Sequence, residues 1–191
     1  MPLNVPNLLT WLRILLIPVF LVVFYFPDTW LSGPEKNLTA TVLFAVAAAT
    51  DWLDGYLART LDQTSAFGAF LDPVADKLMV AAALILLVWL QRVDAPIAVV
   101  IIGREIAISA LREWMAKLGK SKSVAVSFLG KVKTGCQMAA ILLLLYHGVL
   151  FGLLDTDYIG TALIYVAAAL TLWSMVYYLK MAMPYLFGDQ E

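Results

Sequence analysis

Four aspartates hold most of the chemistry this sequence offers. They stand in one stretch: Asp51-Trp52-Leu53-Asp54-Gly55-Tyr56-Leu57-Ala58-Arg59, eight further residues, then Gly68-Ala69-Phe70-Leu71-Asp72-Pro73-Val74-Ala75-Asp76. On a helix, residues three, four, seven and eight apart share one stripe. Asp51, Asp54, Gly55, Ala58 and Arg59 follow that spacing, and Asp72 and Asp76 are four apart in line with Gly68. Two successive helices would therefore each present a pair of carboxylates beside residues with almost no side chain. Four crowded carboxylates repel one another and desolvate poorly, so they call for cations. Oxygen-only donors, with neither His nor Cys close by, favour Mg²⁺, Mn²⁺ or Ca²⁺ over zinc. Two divalent ions would share such ligands and clamp a diphosphate. Gly55, Ala58 and Gly68 would leave room for a bulky ligand near the backbone. Arg59 would offer its guanidinium fork to phosphate oxygens.

The elements that must position these residues are set by composition. Of the 191 residues 62% are hydrophobic and only 14% charged, and the mean hydropathy is +0.86. A soluble domain carries nearer a quarter charged residues, so the bilayer is the expected solvent. Six apolar segments can be read, at Leu8–Phe26, Leu38–Leu57, Phe67–Leu90, Ala95–Leu111, Val124–Phe151 and Tyr158–Leu179. Each is about long enough to cross ~30 Å of hydrocarbon at ~1.5 Å per residue. The fourth is the weakest, being interrupted by Arg104 and Glu105. The runs are too continuous for barrel strands, and backbone satisfaction in lipid leaves helices. The fold class expected is an all-α integral membrane protein of six transmembrane helices, one domain over residues 1–191.

Charge placement orients it. Arg112, Lys117, Lys120, Lys122, Lys131 and Lys133 lie between or beside the fourth and fifth segments, whereas the next connection has Asp155 and Asp157 and no Lys or Arg. Positive residues stay inside. Both termini and the 60–66 and 112–123 connections are thus expected in the cytoplasm. All four aspartates then fall roughly 8–15 Å from the short cytoplasmic 60–66 connection and should meet across a helical hairpin.

The net charge of −1 gives no reason to expect nucleic acid. Cys136 is the only cysteine, which excludes an internal disulfide, and reads as a small buried residue. His147 reads as structural or interfacial. No cleavable signal peptide is expected, because the first apolar run contains Arg13 and lacks a small-residue cleavage site. Tryptophans near segment ends read as interface anchors.

The pattern Asp-x2-Asp-Gly-x2-Ala-Arg-x8-Gly-x3-Asp-x3-Asp resembles the signature of the CDP-alcohol phosphatidyltransferases, matched at Asp51, Asp54, Gly55, Ala58, Arg59, Gly68, Asp72 and Asp76. Within the family, Asn4-Val5-Pro6-Asn7, Thr10 to Arg13, Arg104-Glu105-Ile106, Leu111 to Trp114 and Gly130 to Thr134 are similar to bacterial members whose acceptor is glycerol 3-phosphate. The resemblance implies Asp51, Asp54 and Asp72 as ligands of one metal, and Asp51, Asp72 and Asp76 as ligands of a second, either Mg²⁺ or Mn²⁺. It implies Asp76 as the base, and Asp51, Gly55, Ala58, Arg59 and Gly68 around the CDP part of CDP-diacylglycerol. It further implies a homodimer among membrane lipids, in a bacterial inner membrane, with its active site facing the cytoplasm.

An acceptor phosphate needs cations. Arg104, Arg112, Lys131 and Lys133 are the candidates, with Thr10 and Arg13 from the first segment; Glu105 is expected to pair with Arg112. Lys117, Lys120 and Lys122 fit the inside-positive rule or lipid headgroups better. Two other readings stay open. A sister enzyme could use inositol phosphate, serine or phosphatidylglycerol, and the aspartates do not separate these. A divalent-cation transporter would need polar residues across the whole membrane, but 42–49 and 81–90 are almost wholly apolar.

Overall fold

The computed structural model describes residues 5–60, 66–119 and 128–187. Its architecture is all-α: α1 (Val5–Val22), α2 (Gly33–Thr60), α3 (Ala66–Trp89), α4 (Ala95–Lys117), α5 (Phe128–Tyr146) and α6 (Thr156–Phe187). A single 3₁₀ turn, Val23–Tyr25, follows α1. Two two-residue strands, β1 (Val149–Leu150) and β2 (Leu154–Asp155), pair antiparallel before α6.

Local chemistry sets several of these ends. Ser32 precedes Gly33-Pro34-Glu35, and the Glu35 carboxylate accepts from both the Ser32 N–H (2.8 Å) and its hydroxyl (2.7 Å). This reciprocal turn caps the start of α2. Pro96, just inside α4, lacks only an N–H that the helix would leave unpaired anyway. At the end of α5, Arg92 donates to the carbonyls of Leu144 (3.0 Å) and Leu145 (3.1 Å). Those carbonyls have no partner inside the helix, and a cation there also opposes the helix dipole.

The fifth segment was expected to run on to Phe151, but α5 stops at Tyr146. His147 and Phe151 take positive φ (49° and 54°), as does Gly152 (70°), and these reversals fold the apolar residues into the small hairpin. Hydropathy does not register a backbone reversal. The Thr156 hydroxyl then ties the hairpin shut, accepting from Gly148 N–H and donating to its carbonyl.

The helices pack in a ring, α1 against α2, α2 against α5, α5 against α6, α6 against α4, α4 against α3, and α3 back against α1. Phe20, Phe44, Ala83, Leu84, Leu87, Ile101, Ile141 and Leu144 are among the buried residues that fill one half of the interior. A smaller cluster of Ile108, Met115, Tyr178 and Ala182 joins α4 to α6 at the other end. Outward, large apolar side chains such as Leu15, Phe70, Ile85, Val99 and Trp173 are exposed around the bundle. Such a surface suits lipid better than water.

Among the described residues two stretches are long and apolar enough to cross a membrane by composition, Leu8–Tyr25 and Thr156–Tyr185, with a shorter one at Val132–Tyr146. Ionisable residues interrupt the remaining helices: Asp51 in α2, Asp72, Asp76 and Lys77 in α3, and Arg104, Glu105 and Arg112 in α4. Those are the residues that make the site.

Candidate active site

The carboxylate centre is built by three helices rather than two. α1 packs on both α2 and α3. From it, Arg13, only 1% exposed, sets Nη1 2.7 Å from Asp51 Oδ1 on α2. One turn earlier on α1, Thr10 donates its hydroxyl to Asp72 Oδ1 on α3 at 2.5 Å. One helix therefore holds an aspartate from each of its neighbours. Asp76 lies a turn further along α3, partly buried, and the charges acting on it come from Asp51, Glu105, Arg13 and Lys77. Lys77 itself donates to the Pro73 carbonyl at 2.9 Å. Gly68 is buried in the first turn of α3. The backbones of Asp54, Gly55, Ala58 and Arg59 are helical within α2, but their side chains lie outside the described residues, as does that of Lys131.

A second, basic set lies among α4, α5 and α6. Lys133 is 1% exposed and its Nζ is 2.6 Å from Glu105 Oε1. Glu105 had been expected to pair with Arg112, two turns along the same helix. Two turns separate residues by about 10 Å along the axis, whereas Lys133 reaches across from α5. Arg112 instead donates to the Tyr178 hydroxyl at 3.0 Å, and Arg104 donates to the Ser174 hydroxyl at 2.8 Å. Both guanidiniums also lie against the Tyr178 ring, 5.7 Å (Arg104) and 5.1 Å (Arg112) from its centre.

The sequence reading passed over Ser174 and Tyr178. A signal was available: Thr171, Ser174 and Tyr178 are spaced by three and four, and so form a polar stripe on an otherwise apolar helix. Thr10 and Arg13 stand with the aspartates, while Arg104, Arg112 and Lys133 stand together. Glu105 joins the two sets, pairing with Lys133 and acting on Asp76.

Between α3 and α4 runs a groove of about 660 Å³, lined by Val74, Leu78, Ala81, Ile102 and Ile106 among others, with Lys77, Glu105 and Arg112 contributing charge. Ligand-sized clefts run from about 300 to 1,000 Å³.

The sequence profile of the CDP-alcohol phosphatidyltransferases matches residues 3–173. The chain belongs to the CDP-alcohol phosphatidyltransferase family. Proteins of Shigella flexneri serotype 5b (strain 8401) and Escherichia coli (strain K12) are each 52% identical to it over 188 residues, covering 95% of this chain and 96% of the relative. Both bear the name CDP-diacylglycerol–glycerol-3-phosphate 3-phosphatidyltransferase.

In this member of the CDP-alcohol phosphatidyltransferases, the donor chemistry of the centre fits a hard divalent cation. Asp51, Asp72 and Asp76 supply carboxylate oxygens from two neighbouring helices. Among the described residues no three His, Cys, Asp or Glu side chains approach one another closely enough to hold a metal. Asp54, the fourth carboxylate of the pattern, lies outside that set. Two of the three described aspartates are turned to Arg13 and Thr10.

Proposed function

We propose that this chain transfers the phosphatidyl group of CDP-diacylglycerol to sn-glycerol 3-phosphate, yielding phosphatidylglycerophosphate and CMP in phospholipid biosynthesis. The observation that carries this is the 52% identity, across 95% of the chain, to enzymes named for that reaction. The complete aspartate pattern from Asp51 to Asp76 accompanies it.

In this reading Asp51, Asp54 and Asp72 hold one divalent ion, and Asp51, Asp72 and Asp76 hold a second, either Mg²⁺ or Mn²⁺. When bound, the pair supplies positive charge to the diphosphate and to the leaving CMP. Asp51, Gly55, Ala58, Arg59 and Gly68 surround the CDP moiety. The primary hydroxyl of glycerol 3-phosphate, one of its two free hydroxyls, attacks the phosphorus that bears diacylglycerol. A new oxygen–phosphorus bond forms, the bond to the bridging oxygen breaks, and CMP departs with that oxygen. Asp76 takes the hydroxyl proton.

Arg104, Arg112, Lys131 and Lys133 face the acceptor phosphate. Glu105, paired with Lys133 and acting on Asp76, supports the basic set standing beside the attacking hydroxyl. Thr10 and Arg13 orient Asp72 and Asp51, and the same two side chains would serve the acceptor phosphate. The α3–α4 groove gives the apolar substrate a side entrance from lipid.

The reading also includes six transmembrane spans in a single domain, with both termini and the aspartates on the cytoplasmic side of a bacterial inner membrane. The working unit is a homodimer. Exposed apolar side chains around the bundle support the membrane setting. The test is CMP release by the purified chain in mixed micelles of CDP-diacylglycerol with one acceptor at a time. Glycerol 3-phosphate should drive release, whereas serine, inositol phosphate and phosphatidylglycerol should leave it near background. Faster release with any of those three would reassign the acceptor.

A further inference from the structure

Tyr178 is fully buried in α6, contacts two arginines and belongs to none of the motifs already described. Its hydroxyl accepts from Arg112 Nη2 at 3.0 Å, and its ring lies against both the Arg104 and Arg112 guanidiniums. One turn earlier on the same helix, Ser174 accepts from Arg104 Nη2 at 2.8 Å, its own hydroxyl being oriented by donation to the Thr171 carbonyl. One face of α6 therefore fixes both guanidiniums.

Among the described residues neither arginine has an acid within ion-pair distance, and Glu105, next to Arg104 in the chain, is already paired with Lys133 at 2.6 Å. Arg104 is only 8% exposed, and the buried Nε atoms of Arg104 and Arg112 have no hydrogen-bond partner among the described residues. Two neighbouring guanidiniums, Arg104 buried and Arg112 half-buried, repel each other and lose hydration. An aromatic face offsets part of that cost by drawing both cations toward its negative centre. Donors left without acceptors remain to be satisfied, and an oxyanion with several lone pairs would satisfy them.

We infer that Tyr178, assisted by Ser174, is a positioning residue that holds Arg104 and Arg112 ready for the phosphate of the acceptor. This rests on the glycerol 3-phosphate reading above and adds α6 to the helices that determine acceptor affinity. Tyr178 does not touch the reacting atoms. It keeps two long, flexible side chains in one arrangement, so that ordering them is not charged against substrate binding.

The experiment is steady-state kinetics of CMP release for Tyr178→Phe and Ser174→Ala, with each substrate varied in turn. Tyr178→Phe keeps the ring and removes only the hydroxyl. The KM for glycerol 3-phosphate should rise on the order of 10-fold, as expected for losing one hydrogen bond to a charged group. The KM for CDP-diacylglycerol should stay within about twofold, and the melting temperature in detergent should be nearly unchanged. Ser174→Ala should shift the same constant in the same direction. Tyr178→Leu, which also removes the ring, should raise it further.

If both KM values move together, or only the melting temperature falls, Tyr178 is merely packing and the inference is overturned. An unchanged KM for glycerol 3-phosphate in Tyr178→Phe overturns it as well. Wild-type protein that turns over with a different acceptor would instead defeat the underlying functional reading.

Discussion

At the scale of single residues, the site is a set of charges that would be costly alone. Arg13 and Lys133 are almost completely buried, and each meets a carboxylate among the described residues, Asp51 and Glu105. Removing one partner of such a pair strands the other in a poorly solvated place. Lys133→Ala should therefore destabilise the protein by about 3 kcal/mol, measured as detergent-phase thermal unfolding. The double variant Lys133→Ala/Glu105→Ala should recover part of that loss. A double variant no better than the single one would show that Glu105 is well solvated without Lys133. Metal removal gives a separate check: a chelator should abolish CMP release, and Mg²⁺ or Mn²⁺ should restore it. Activity that persists under chelation would exclude the proposed role of the aspartates.

The aspartates were legible in the sequence because their spacing on a 3.6-residue period is independent of tertiary context. Their supports were harder to see. Arg13 and Thr10 read in the sequence as candidates for the acceptor phosphate, and in the structure they contact Asp51 and Asp72. Lys133 was matched to the phosphate as well, but its pairing with Glu105 joins two helices that are distant in sequence, which no local period reveals. Tyr178 belongs to a polar stripe with Thr171 and Ser174, but no local pattern shows that the stripe faces Arg104 and Arg112.

At the scale of elements, helix positions followed hydropathy closely where a helix ended at a charge or turn. The third segment, expected at Phe67–Leu90, is Ala66–Trp89. The fourth continues past Leu111 to Lys117, because a helix can carry polar residues beyond the apolar span. The fifth ended early at the His147 reversal. Close packing between α5 and α6 is a further feature hidden from the sequence. A Cβ at Gly160 would lie 2.8 Å from Leu144 Cγ. Gly160→Ala should thus force the helices apart and cost about 1–3 kcal/mol, read as a lowered melting temperature.

The capped start of α2 has its own pH dependence. Hydrogen bonds from Ser32 hold the Glu35 carboxyl below its ordinary value. A depressed carboxyl stabilises the fold above its unfolded pKa, and that support is lost as pH falls through the lower folded value. Amide protection in the first turn of α2, measured against the intrinsic exchange rate at each pH, should fall under acid in the wild type. In Glu35→Gln protection should already be low at neutral pH and change little with acid.

At the scale of the whole molecule, the two ends of the bundle differ. One end has the aspartates and basic residues. The other has Lys36 paired with Asp28, His147 with Asp157, and Tyr165 donating to Asp94. Six spans require the 91–94 and 112–123 connections to lie on opposite sides of the membrane. In a Cys136→Ser background, Gln91→Cys should react with an impermeant maleimide in intact cells, and Lys117→Cys only after the cells are opened. Labelling of both from outside would overturn the proposed topology.

All of these scales meet in Asp76, the carboxylate nearest the junction of the acidic and basic sets. Asp76→Asn preserves size and most hydrogen bonding but cannot accept the acceptor's proton. CMP release from CDP-diacylglycerol, measured alongside donor binding, should fall by orders of magnitude while the protein still inserts and folds. Release at near wild-type rate would contradict the catalytic centre proposed for α2 and α3.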